Sequence, residues 1–272
     1  MSKRTKTAIC LSVVVCIPVQ GWGEGRYAQV NGLNMYYEVH GSGRPLVLLH
    51  GGLSTIDTSF GKILPSLART RQVIAIELQG HGHTAGLDRP MSFETMADDV
   101  ASLLGQLAVE RADVLGYSFG GVVALGIAIR HPHQVGHLIL IGTPNGNDGF
   151  EPIIRDSIKG ATPRDVPKPL KEAYERSAPD VRQFPLLVAK VSKLLTDFPG
   201  WRQEDLHSIG SPTLIIVGDH DFIRPEHAIQ VFRLIPGAQL AILPGAGHDA
   251  ITERHEDVLA IATRFLDGAP GQ

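Results

Sequence analysis

Ser118 sits in Gly116-Tyr117-Ser118-Phe119-Gly120, where one apolar run ends and another begins. A serine hydroxyl is a weak nucleophile at neutral pH, so it needs a neighbouring base, and the base needs a carboxylate to orient it. Both types occur downstream. Asp221 follows the apolar run "TLIIVGD", and His248 follows "AQLAILPG", within "GAGHDA". The order Ser, Asp, His fits a nucleophile mounted on a strand–turn–helix junction. That mounting has a steric requirement. The serine occupies a strained turn in which strand and helix approach closely, so small residues are needed two positions away on either side. Gly116, Gly120 and Gly121 meet this need. The helix that follows begins with unpaired N–H groups, and that of Phe119 can face a developing negative charge.

The flanking sequence supplies elements to hold such residues. "YAQVNGLNMYYEVHG" alternates around Asn31-Gly32 and predicts a hairpin. Short unbroken apolar runs then recur at "PLVLLHGG", "QVIAIEL", "ADVLGYS", "HLILIGTP", "TLIIVGD" and "AQLAILPG". Strands apolar on both faces belong in a parallel sheet covered by helices. Helices are predicted over Ser92–Leu107, with Ser92 as cap, and over Phe119–Arg130, Pro225–Ile235 and about Thr252–Leu266. The expected fold class is α/β: a mostly parallel sheet with an antiparallel N-terminal edge and helices on both faces. Residues 145–205 break the rhythm, with prolines and helical stretches such as Pro185–Phe198 but no strand. They read as a helical lid between two strands. The core is then divided into residues 22–144 and 206–272. Asp221 and His248 both fall on loops after strands, where open α/β sheets place their sites.

The chain has 272 residues, 43% of them hydrophobic, and a net charge of −3, so one large core is affordable and neither nucleic acid nor an anionic membrane is the expected partner. The N-terminus differs from the rest. Lys3, Arg4 and Lys6 precede the apolar run Ala8–Val19. Residues 1–21 are expected to be a secretory signal peptide, the run being too short to span a bilayer. The protein is accordingly expected in the periplasm or secreted, with no stable membrane insertion after processing. Cys10 and Cys16 both lie in that segment, so the processed chain would hold no disulfide and no thiol nucleophile. His131, His133 and His137 straddle a proline and a glycine and read as a loop cluster rather than a metal site.

The segments "LVLLHGG", "IELQGHGHT", "GYSFGGVVAL", "HPHQVGHLILIGT", "TLIIVGDHDFIRP" and "LPGAGHDA" together resemble the α/β-hydrolase fold superfamily, in its serine-hydrolase branch. The resemblance covers about Tyr27 to Asp267. It implies Ser118 as nucleophile, His248 as base and Asp221 as acid. Asp219 is the alternative acid, disfavoured because Asp221 stands four before Pro225. It further implies that His50-Gly51 shapes a loop and that Gly52 adds a second oxyanion N–H beside that of Phe119, with Leu53 as the neighbouring alternative. "ELQGHGHT" departs from the superfamily pattern at Glu77, Gln79 and Thr84, in a structural loop where His81 and His83 are expected not to be catalysts. Asp249 is expected on the surface. Tyr117 and Phe119 flank the serine, and Leu186, Leu187, Leu194, Leu195 and Phe198 of the lid suggest an apolar acyl or alcohol pocket, with packing of the lid on the core as the alternative role for about half of those side chains. The resulting expectation is a hydrolase of carboxylic esters or lactones, using no cofactor or metal and taking a small-molecule substrate. A carbon–carbon hydrolase or perhydrolase is the same-fold alternative, and a non-turnover ligand-binding or signalling protein is the rival from another class.

Overall fold

A computed structural model describes residues 23–86 and 88–268; the expected signal peptide over 1–21 lies outside them. The chain opens with the hairpin β1 (Arg26–Val30) and β2 (Leu33–His40), turning through Asn31 and Gly32, both with positive φ. Six strands follow: β3 (Arg44–Leu49), β4 (Arg71–Ile76), β5 (Ala112–Tyr117), β6 (Val135–Ile141), β7 (Thr213–Gly218) and β8 (Gln239–Leu243). They form one sheet in the order β1-β2-β4-β3-β5-β6-β7-β8. β2 runs antiparallel to both its neighbours, and the remaining pairs are parallel. The antiparallel edge is therefore made by a single reversed strand.

Side-chain alternation splits the core into two layers. Leu46 and Leu48 of β3 face one apolar cluster, while Val47 and Leu49 face the other. The first layer is covered by α1 (Ile56–Phe60), α2 (Leu64–Leu67) and, at the C-terminus, α10 (Ala250–Glu253) and α11 (His255–Asp267). The second is covered by α3 (Phe93–Gln106), α4 (Phe119–Arg130) and α9 (Pro225–Leu234). Ser92 caps α3 by accepting from the Thr95 N–H. The helix expected over Thr252–Leu266 is two helices instead, because Arg254 leaves helical geometry at φ −115° and ψ 35°. α1 gave no sequence signal of the usual kind. Its capping box pairs Thr55 with Thr58, where Glu or Gln commonly stands.

Between β6 and β7 the chain makes a helical excursion: α5 (Pro152–Lys159), α6 (Lys168–Ser177), α7 (Phe184–Asp197) and α8 (Gln203–His207). It is pinched at its neck. Asn145 Nδ2 donates to the Trp201 carbonyl at 3.0 Å, and the Trp201 N–H donates back to Asn145 Oδ1 at 3.2 Å. Asn147 Nδ2 donates to the Thr196 carbonyl at 2.8 Å, and the Asn145 N–H donates to His227 Nε2 on α9 at 2.9 Å.

Candidate active site

Ser118 joins β5 to α4 at φ 51° and ψ −116°, a left-handed conformation that non-glycine residues rarely adopt. Strain of this kind costs on the order of 1–3 kcal/mol and persists only where packing imposes it. Here the packing is severe. A Cβ on Gly116 would stand 2.5 Å from the Gly120 carbonyl oxygen, one on Gly120 2.1 Å from the Leu49 oxygen, and one on Gly121 1.9 Å from Thr143 Oγ1. Glycine at these three positions lets β5 and α4 meet at the turn. α4 is buried from Phe119 through Ala128, so the turn rests on an element that cannot give way.

His248 Nε2 lies 2.9 Å from Ser118 Oγ, and His248 Nδ1 lies 2.8 Å from Asp221 Oδ1. The same Asp221 oxygen accepts the Ile223 N–H at 2.8 Å, and its carboxylate is buried. Asp219, by contrast, accepts the Gly245 N–H at 2.7 Å in an exposed turn. The structure thus sets Asp221 on the histidine and Asp219 away from it. The His248 ring is stacked on Phe222, centroids 3.7 Å apart, and lies 5.3 Å from the Tyr117 ring. Gly142, at φ 52°, lets the chain after β6 pass beside the pair; a Cβ there would lie 3.1 Å from both Asp221 and His248.

The loop after β3 is fixed by His50, which is fully buried. Its Nε2 accepts the Leu78 N–H at 3.1 Å, so Nδ1 carries the proton and donates to the Gly51 carbonyl at 2.7 Å. Burial pushes its pKa down, which keeps the ring neutral. Gly52 is thereby held beside Phe119: a Cβ on it would be 3.5 Å from the Phe119 Cβ. Leu53 follows with φ 58°, and Gly52, Leu53, Ser118 and Phe119 all line one cavity.

The residues that depart from the superfamily pattern form a scaffold. Glu77 is buried, and its carboxylate accepts from the Ile56 N–H at 3.4 Å, the His83 N–H at 2.6 Å and His83 Nδ1 at 2.8 Å. His81 is sealed against His50 and Phe119, and burial lowers its pKa to about 3. Neither histidine lines the cavity. His131 pairs with Asp98 at 2.8 Å and His137 with Asp113 at 2.8 Å, two separate carboxylates.

Asp249 is exposed, as expected; it also lines the cavity, and its Oδ1 accepts the Tyr117 hydroxyl at 3.2 Å. One expectation needs correction. Of the five lid residues expected to line the pocket, Leu195 alone does so. Leu187 is buried in the core, Leu186 is 50% exposed, and Phe198 packs on Phe93 and Trp201. The lining stripe of α7 is Val188, Val191, Ser192 and Leu195, one helical face at i, i+3, i+4 and i+7. The cavity has a volume of about 640 Å³.

The fold, the turn at Ser118 and the Ser–His–Asp contacts define a member of the alpha/beta hydrolase family, whose model matches residues 46–261. Among its relatives is the 2-hydroxy-6-oxo-2,4-heptadienoate hydrolase of Pseudomonas putida, 29% identical over 89% of this chain and 96% of that protein. The sn-1-specific diacylglycerol lipase of Danio rerio is 27% identical over 86% of this chain and 83% of its own. The meta-cleavage product hydrolase of Pseudomonas fluorescens shares the fold, with a TM-score of 0.77 at 22% identity, over 90% of this chain and 98% of that one. All three are hydrolases.

Proposed function

We propose that this hydrolase cleaves carboxylic esters or lactones with an apolar acyl or alcohol part, through a covalent acyl-enzyme on Ser118. The observation that carries the reading is the chain of contacts Ser118–His248–Asp221, at 2.9 and 2.8 Å, on the wall of a largely apolar cavity. In this reading Ser118 Oγ attacks the carbonyl carbon while His248 Nε2 takes its proton. Asp221 holds the Nδ1–H and stabilises the imidazolium that forms. The N–H groups of Phe119 and Gly52 receive the oxyanion, each such donor contributing on the order of 3 kcal/mol. His248 then protonates the departing alcohol, and water, activated by the same nitrogen, releases the acid. In keeping with the N-terminal sequence, residues 1–21 are proposed to direct the chain to the periplasm or outside the cell.

The test is steady-state hydrolysis of p-nitrophenyl esters of increasing acyl length by the protein and by Ser118→Ala. Sustained turnover abolished by the substitution is the expected result. A single turnover, or none with ligand binding retained, would sink the reading. The second reading is carbon–carbon bond hydrolysis, favoured by the similarity to the heptadienoate hydrolase. Cleavage of a vinylogous 1,5-diketone without ester turnover would favour it.

A further inference from the structure

The cavity wall has an uneven supply of charge and of hydrogen-bond donors. No lysine or arginine lines it among the described residues, and Asp249 supplies its one carboxylate apart from any a substrate brings. The wall hydroxyls already donate within the protein. Ser192 Oγ donates to the Ile158 carbonyl, Thr252 Oγ1 to the Asp249 carbonyl at 3.0 Å, and the Tyr117 hydroxyl to Asp249 Oδ1 at 3.2 Å. Lys62 Nζ donates from outside the wall to the Thr252 carbonyl at 2.9 Å. The wall is otherwise largely apolar, with residues such as Phe150, Leu170, Val188, Val191 and Leu195. A carboxylate buried here, away from the oxyanion N–H groups, would lose its hydration without gaining a partner.

Building on the serine-hydrolase reading above, we propose that this cavity selects uncharged esters. In this proposal Asp249 is the specificity residue that rejects a substrate carrying a second, anionic carboxylate. Its carboxylate stands on the wall beside His248, fixed by the Tyr117 hydroxyl, so an anionic group on this side of the chamber meets a like charge. At ~8 Å and an effective dielectric of ~20, such repulsion alone amounts to about 30-fold in binding. Asp249 is exposed, and bulk screening lowers the expectation to about tenfold. A dienoate substrate, as the carbon–carbon alternative would require, carries this kind of charge.

The experiment compares p-nitrophenyl hexanoate with the p-nitrophenyl monoester of adipic acid, alike in length and differing in a terminal carboxylate. The protein and Asp249→Asn are assayed at one pH and ionic strength. In parallel, calorimetry measures binding of dimethyl suberate and monomethyl suberate to Ser118→Ala. The expected result is a kcat/KM about tenfold or more higher for the neutral ester, with the same preference in binding. Asp249→Asn is expected to narrow the gap to about threefold or less while leaving the neutral ester turned over. Should Asp249→Asn fail to fold, Asp249→Ser, which keeps an acceptor for Tyr117, takes its place. Equal rates on the two esters overturn the proposal, as does a gap that survives in the folded variant. Loss of turnover on both esters with the binding preference intact refutes the serine-hydrolase reading and still supports charge selection.

Discussion

Replacing Asp221 by asparagine separates two roles that one oxygen performs. Asp221 Oδ1 accepts the Ile223 N–H and contacts His248 Nδ1, both at 2.8 Å. An asparagine can keep its oxygen there, preserving both bonds and the Nδ1–H tautomer, and lose only the negative charge. The alternative is to turn its amide, which sets Nδ2 against the Ile223 N–H, donor facing donor, and forces the histidine proton onto Nε2, where it blocks Ser118. An unmade bond of that kind at a buried site costs about 1–3 kcal/mol, so the oxygen-in orientation wins. The expected loss is then that of a charge-assisted hydrogen bond reduced to a neutral one. This is about 2 kcal/mol, or roughly 30-fold in kcat/KM. The assay is hydrolysis of p-nitrophenyl butyrate, with circular dichroism to confirm folding and Asp219→Asn as the control. Asp219 holds only the turn at Gly245, so its substitution should change the rate by less than about threefold. A fall near the ~10⁴-fold expected of an inverted tautomer would refute the shared-oxygen argument. A larger loss in Asp219→Asn than in Asp221→Asn would refute the assignment itself.

Gly120→Ala should lower both the thermal midpoint and kcat. Its Cβ would meet the Leu49 and His50 carbonyl oxygens at 2.1 and 2.5 Å, backbone atoms that cannot move without displacing the loop bearing Gly52. Overpacking outweighs the helix-propensity gain of ~1 kcal/mol, leaving a net loss of about 1–2 kcal/mol and a midpoint several degrees lower; calorimetry showing a raised midpoint would contradict this. For His83, the hydrogen bond to the Glu77 carboxylate raises the pKa above its ordinary value. A raised folded-state pKa adds stability that is complete below the unfolded value of about 6.5 and fades as pH rises through the folded one. The urea-midpoint gap between the native protein and His83→Gln should therefore be wider at about pH 5.5 than at about pH 9. A gap independent of pH would remove the pair from the account of stability.

How much the sequence reveals depends on how far each constraint reaches along the chain. The turn at Ser118 is legible because its steric demand falls on Gly116, Gly120 and Gly121, within five residues of one another. The strands are legible because each is short, apolar and bounded by turns. The phase of α7 is not, since "PLLVAKVSKLL" offers apolar residues to more than one face and packing chooses Val188, Val191 and Leu195 for the cavity. The Tyr117–Asp249 contact joins residues 132 apart in the chain, so no local pattern announces it. Glu77 and His83 stand six apart across a loop with Gly82 at φ 53°, and that geometry exists only once the loop has folded.

The tied neck of the excursion has an evolutionary consequence. Asn145 and Trp201 bond each other, so the chain leaves the sheet and returns to it through one narrow gate. Loop-closure entropy grows only slowly with length, and here the closure is fixed by the gate rather than by what lies beyond it. The helices between can be shortened, lengthened or exchanged as a cassette while β6, β7 and the three residues at the floor keep their places. The part of the cavity wall that α7 supplies can thus vary independently of the turn at Ser118, while Tyr117, Asp249 and Thr252, outside the excursion, keep their share of that wall.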